Sequence, residues 1–346
     1  MSTPLRPCAG EGRNEGFTLV ELMIAMTLGL IVVGGVVSVV LAGQQSYRTN
    51  EALSQVQESA RTAFELMARD IRQAGVNGCG NNSRVANVLD PAPALWWQTW
   101  FGIRGYDGAT DDPAVDFGTT DDDRKAGTDS IQLQGIEGMG LSVETHEPVS
   151  ANFKINAATV DVVPDDILIV CDFDHSAIFQ VSGYNDSNVT VVHATGEGVA
   201  APGNCSKGLG YPTVCPDTVG NSYAFGPNSQ IARFTAVDWY IGANERADEG
   251  GWSLYRVRLD RGATLVVEEI VAGVTDMQIL YRRDGADTFV PATDGSLVGN
   301  WESINAVTLT LTLDSAGRRV STDTTVNSGR LQRSFSHLVT LRNRVP

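Results

Sequence analysis

From Leu22 to Gly43 the chain runs for 22 residues without one ionisable side chain, LMIAMTLGLIVVGGVVSVVLAG. As a helix rising about 1.5 Å per residue, that run spans roughly 33 Å, the thickness of a bilayer's hydrocarbon core. A cleavable secretory signal has a shorter apolar centre of about 7–15 residues. The run therefore predicts a helix that stays in the membrane. Arg6 and Arg13 precede it and Arg48 follows; the positive-inside rule favours a cytoplasmic amino terminus, with the rest of the chain outside. Extended back to Phe17, the apolar stretch holds a single ionisable residue, Glu21. A carboxylate at that depth costs about 2 kcal/mol or more unless it is paired or snorkels to the interface.

The remainder is long enough for one large domain. Of 346 residues, 42% are hydrophobic and 19% charged, so wholesale disorder is excluded. With 25 Lys and Arg against 41 Asp and Glu the net charge is −16. A surface so charged repels phosphate backbones and anionic lipid headgroups, and nucleic acid is not an expected partner.

The string Gly16-Phe17-Thr18-Leu19-Val20-Glu21-Leu22-Met23 resembles the cleavage and assembly motif of type IV pilins and type II secretion pseudopilins. The resemblance implies that residues 1–16 are a leader, that a prepilin peptidase cuts after Gly16, and that Phe17 becomes the N-methylated first residue. It further implies that Glu21 serves in assembly. When apolar helices pack in a dry filament core, a buried carboxylate is tolerable only beside a cation, and a neighbour's terminal amine would serve.

Beyond Gly43 the composition turns polar but the period stays helical. Leu53, Val56, Ala60, Ala63 or Phe64, Met67, Ile71 and Ala74 recur at steps of three and four, drawing one apolar stripe. Gly75 suits the C′ position, and Glu65 stands four residues before Arg69 in the favourable order for an intrahelical pair. One helix from 17 to 74 would hold 58 residues, about 87 Å, with residues 17–43 its membrane half and 44–75 its outer half. The passage containing Arg61, Ala63, Met67, Asp70, Ile71, Arg72, Ala74, Gly75, Gly78 and Cys79 resembles the end of the long helix in the PilW family of minor pilins. Trp301, the alternating run 306–313, Arg333-Ser334-Phe335 and the terminal 341–344 also resemble that family.

Residues 76–346 read as an extracytoplasmic, β-rich domain. Apolar or alternating runs occur at 130–134, 159–163, 167–171, 177–181, 189–192, 231–241, 252–259, 263–271, 274–281, 304–313 and 333–341, separated by Asn, Asp, Gly and Pro clusters. The fold class expected is α+β: one long N-terminal helix packed on antiparallel sheet, pilin-like, with two sheet lobes. Trp96, Trp97 and Trp100 are expected to pack against the long helix. Arg330, Arg333, Arg342 and Arg344 are expected on a solvated strand edge.

Cys8 lies in the leader, leaving Cys79, Cys171, Cys205 and Cys215. Four cysteines outside the cytoplasm predict two disulfides with three possible connectivities. Closeness in sequence favours Cys205 with Cys215, which would leave Cys79 for Cys171. Residues 107–129 carry eight Asp against Arg124 and Lys125. Within that run Asp121, Asp122 and Asp123 are the weak calcium candidates, although the spacing fits no EF-hand. His146, His175, His193 and His337 lack the spacing of a zinc site, so no metal or other cofactor is expected. Asp172-Phe173-Asp174-His175-Ser176 carries acid, base and nucleophile types, but neighbours on a strand point to opposite faces and cannot converge. With no nucleophile elbow, phosphate loop or dinucleotide fingerprint, catalysis is not expected.

The resemblance implies an inner-membrane minor pilin that helps initiate a type IV pilus and sits near its tip. Its partners would be other minor pilins, the major pilin and a tip adhesin, in support of adhesion or twitching motility. A type II secretion pseudopilin of the J type shares the amino-terminal motif. A membrane-anchored protein binding calcium or another ligand is the reading from a different class, and a DNA-uptake pseudopilin would have to use the basic tail.

Overall fold

The computed structural model describes residues 16–80, 84–92, 94–195, 201–321, 327–342 and 344. Cys8 and the rest of the expected leader before Gly16 lie outside them. The chain divides into two compact units, Met1–Glu51 and Ala52–Pro346. In the first, residues 19–51 belong to helix α1 (Leu19–Gln73), and the apolar side chains of 19–51 are exposed. α1 is long and apolar enough to cross a membrane.

In the second unit the expected stripe is the buried face of α1. Ala52, Val56, Ala60, Ala63, Met67, Ala68 and Ile71 are all buried. Among the described residues the unit also holds fourteen strands: β1 (Val85–Asn87), β2 (Ile103–Tyr106), β3 (Ser130–Glu147), β4 (Asn152–Ile155), β5 (Ile167–Cys171), β6 (Ser176–Gln180), β7 (Gly183–Asn185), β8 (Thr190–Val192), β9 (Gln230–Ala243), β10 (Trp252–Leu259), β11 (Leu265–Ala272), β12 (Val274–Arg283), β13 (Ile304–Asp314) and β14 (Gln332–Thr340). A large sheet runs β1-β6-β5-β9-β3-β4-β8-β7, with β10 joining β9 to β11 and β2 lying on β3. Every pair is antiparallel except β1 with β6. A second sheet, β12-β13-β14, is antiparallel throughout.

Strand alternation decides which residues meet the helix. Ile131 and Leu133 of β3, and Trp239 and Ile241 of β9, share one core with Val56 to Ile71 of α1. The same core takes Met277, Ile279 and Tyr281 from β12 and Val307, Leu309, Leu311 and Leu313 from β13. The helix thus sits on both sheets, the α+β arrangement expected. Ser130, Gln132, Gln134, Phe234, Ala236 and Asp238 have the opposite parity and face away from it.

Ten of the eleven expected runs fall in strands, and 159–163 does not. There the Thr159 hydroxyl accepts from the Asp161 amide at 3.0 Å, a local turn that replaces ladder pairing. The tryptophans also depart from expectation. Trp97 is buried, with Trp96 and Trp100 beside it, against Ile167, Ile169, Ile178 and Phe234 on the sheet face opposite α1. The expected Glu65–Arg69 pair is replaced by Arg61–Glu65, with Nε 2.8 Å from Oε1.

Candidate functional site

The residues expected to serve in processing and assembly lie at the start of α1. Thr18 caps the helix: its hydroxyl accepts from the Glu21 amide at 3.2 Å and lies 3.4 Å from the Glu21 carboxylate, to which it donates. Thr18-x-x-Glu21 is the spacing of a capping box, a signal present in the sequence and missed there. The Glu21 carboxylate therefore has a local role at the helix amino end besides any intermolecular one. Gly16 and Phe17 precede the first helical turn and are exposed.

The other end of α1 is built into the domain through the Asp70-to-Cys79 passage. Asp70 accepts from the indole Nε1 of Trp239 at 3.0 Å and lies 3.7 Å from Arg256; burial pushes its carboxyl above the usual range. Gly75 has φ +76°, and its amide donates to the Gln134 carbonyl at 2.7 Å. Gly78 has φ +98°, and a Cβ there would lie 2.8 Å from Cys171 Sγ. These two glycines let the chain leave the helix and pass directly over the sheet. Cys79 is joined to Cys171 across Cα atoms 5.6 Å apart, and Cys205 to Cys215 across 5.5 Å.

The acidic segment 107–129 covers the sheet face opposite α1, and its centre is a cation of the chain's own. Arg124 is fully buried. Its guanidinium donates to the carbonyls of Thr110 at 2.9 Å, Asp107 at 3.1 Å and Thr128 at 2.7 Å, and stacks over Phe117 at 4.6 Å. Asp121, Asp122 and Asp123 are not drawn together as ligands. Asp123 accepts from the Thr120 amide at 2.9 Å, while the Asp122 amide donates to the Ala243 carbonyl at 2.9 Å. Among the described residues no group of three or more His, Cys, Asp or Glu is arranged to hold a metal ion.

Beneath this segment lies a buried acid pair that sequence reasoning missed. Asp112 accepts from Gln132 Nε2 at 2.6 Å and from the Ser130 hydroxyl. Asp238 of β9 is fully buried, and burial together with the facing Asp112 carboxylate holds it well above the usual range. Its signal was a lone Asp inside an apolar strand. The folded chain therefore keeps a proton on Asp238 that the unfolded chain releases above about pH 4. Stability falls as pH rises from there until Asp238 itself ionises. Asp238→Asn keeps the shape without that proton. The expected result is a higher melting temperature at pH 8 than the parent and a smaller loss as pH rises from about 4. A variant that melts lower at pH 8 would show that the proton is not what Asp238 contributes.

The His146–His193 pair acts in the opposite sense. Their Nε2 atoms are 3.1 Å apart, and the Phe225 amide donates to His146 Nδ1 at 3.2 Å. That bond leaves the His146 proton on Nε2, directed at His193. Burial pushes His146 down to about 4; burial and the facing His146 also lower His193. Their stabilisation is present above about pH 6.5 and is lost as pH falls toward 4.

Residues 172–175 form the turn between β5 and β6, where strand alternation does not apply, and Ser176 is the first residue of β6. His175 is buried, with Nδ1 3.0 Å from Asp174 and Nε2 2.9 Å from the Leu209 carbonyl. Both ring nitrogens are engaged away from Ser176, whose hydroxyl is directed at the Asn77 carbonyl. The basic tail is only partly solvated. Arg330 is buried and donates to the carbonyls of Ser315 at 2.7 Å and Asp248 at 2.6 Å. Arg344 is half-buried and donates to Trp301 O at 2.9 Å. Arg333 and Arg342 are exposed.

Residues 12–37 match the family model described as the prokaryotic N-terminal methylation motif. No curated protein and no solved structure matches the chain. The motif, with the one helix among the described residues that is long and apolar enough to span a bilayer, fits a membrane-anchored, single-pass protein of the type IV pilin- or pseudopilin-like class, for which a structural role is the fitting one.

Proposed function

We propose that the chain is a minor pilin resembling the PilW family. It is made as an inner-membrane prepilin with its domain in the periplasm, cut after Gly16, methylated on Phe17, and used near the tip to initiate a type IV pilus. The observation that carries the reading is the methylation motif at 12–37, continuous with a helix whose outer half is part of a β-domain core. In assembly, apolar helices pack side by side and Glu21 meets the terminal amine of a neighbouring subunit. Thr18 supports this by holding the first turn and the carboxylate together. The globular domain makes the lateral contacts with other minor pilins, the major pilin and a tip adhesin. Two disulfides suit an oxidising compartment.

Mass spectrometry of the membrane-extracted protein tests the processing step; the expected mature terminus is N-methyl-Phe17. Glu21→Ala is expected to leave the protein cut and in the membrane but to lower its recovery in sheared pili at least about tenfold. An intact leader, or unchanged recovery of the alanine variant, would overturn the proposal. Unchanged pili with lost protein secretion would instead mark a J-type pseudopilin, which shares the motif.

A further inference from the structure

We infer that the β5–β6 turn is a docking surface that inserts Phe173 into an apolar pocket, bordered by Lys or Arg, on a different protein. The inference deepens the filament-subunit reading and rests on it. Phe173 is 94% exposed, yet every residue around it is fixed. Asp172 Oδ1 accepts from the amides of Asp174 at 2.9 Å and His175 at 3.2 Å, and its Oδ2 accepts from the Tyr223 hydroxyl at 2.6 Å. His175 ties the turn to Leu209 of the neighbouring loop, and the preceding Cys171 is bonded to Cys79. A rigid turn presenting one fully solvated phenyl ring is a preorganised anchor, because the ordering cost of binding has already been met in folding.

The ring does not stand alone. Arg84 pairs with Asp174 at 3.0 Å and lies over the Tyr211 ring at 5.6 Å, which places the loop closed by Cys205–Cys215 beside the turn. That loop exposes Val214 as well as Tyr211, and Val219, four residues past Cys215, is exposed too. Apolar side chains on two stapled loops form the centre of an interface, and a polar border surrounds it.

Charge indicates the partner. Asp172 and Asp174 flank Phe173 in the chain and Asp217 follows the Cys205–Cys215 loop, against Arg84 and Lys207, on a chain of net charge −16. Backbone amides of Val219 and Gly220 hold Asp217 below the ordinary carboxylate range, and His175 and Arg84 do the same for Asp174. An anionic lipid surface or a second copy of this chain would meet like charge; a basic-bordered pocket on another protein would not.

The test uses the full-length protein in its native membrane with p-benzoylphenylalanine in place of Phe173. Irradiation is expected to join it to a different protein, and peptide mapping should place the link in an apolar segment flanked by Lys or Arg. Phe173→Asp is expected to lower co-purification of that mapped partner roughly tenfold or more, with Phe173→Tyr largely retaining it and neither shifting the melting temperature. Links only to lipid or to another copy of the chain would overturn the inference. So would undiminished co-purification of the aspartate variant. The amino terminus is read in the same samples: N-methyl-Phe17 without a link sinks the docking surface alone, whereas an intact leader sinks the filament reading whether or not the link forms.

Discussion

Arg124→Ala is expected to destabilise the protein by about 3–5 kcal/mol, the usual cost of deleting one member of a buried charged network. The loss has two parts. The carbonyls of Thr110, Asp107 and Thr128 lose their donor inside the fold, and buried acceptors left unsatisfied cost about 1–3 kcal/mol each before relaxation. The surrounding carboxyls of Asp112, Asp129 and Asp238 also lose their nearest cation. Asp129, already pushed up to about 6 by burial, would rise further. Arg124→Lys should recover little, because a single ammonium cannot reproduce the planar fork that reaches several carbonyls. Denaturant midpoints of the detergent-extracted chain measure both variants. Added calcium is expected to restore neither, since the carbonyls point at a guanidinium site. An alanine variant within about 1 kcal/mol of the parent would show that the segment is held by its backbone bonds alone.

Opening the Cys79–Cys171 bond by changing both residues to Ser is expected to cost about 4–5 kcal/mol, and opening Cys205–Cys215 about 3 kcal/mol. The ranking follows from the chain closed by each bond: the sequence separations are 92 and 10 residues, and the entropy removed from the unfolded chain grows with the logarithm of that length. Urea unfolding of the two double variants under non-reducing conditions checks it. Equal midpoints, or a larger loss from the short loop, would show that native contacts outweigh unfolded-chain entropy here.

The parts of the molecule legible in the sequence were those with a strong period. The stripe Val56, Ala60, Ala63, Met67 and Ile71 could satisfy only a helix, and the alternation Val307, Leu309, Leu311, Leu313 only a strand with one buried face. Strands β1, β2, β4 and β7, of three or four residues, are too short to show a period. The tryptophans defeated sequence reasoning for another reason. Their burial was readable, but which sheet face they covered depended on the parity of β5, β6 and β9, fixed only by long-range pairing. The acidic run was misleading because charge counts treat Arg124 as one cation among many. Its burial under Phe117 is set by tertiary contacts. At the candidate site, the residues proposed for cleavage and assembly stood out as a contiguous string, whereas the Thr18 cap needed the three-residue spacing to be recognised as such.

The bond from Cys79 to β5 bears on how the domain responds to mechanical load. Tension entering along the chain from α1 meets a covalent branch at Cys79, six residues past the last helical position. Part of it is diverted there into β5, which is flanked by β6 and β9. Force reaching β5 is then shared between its hydrogen-bond ladders to β6 and β9. The domain is thereby harnessed at its interior, and a tug on the stem need not unravel the segment from Gly80 onward first.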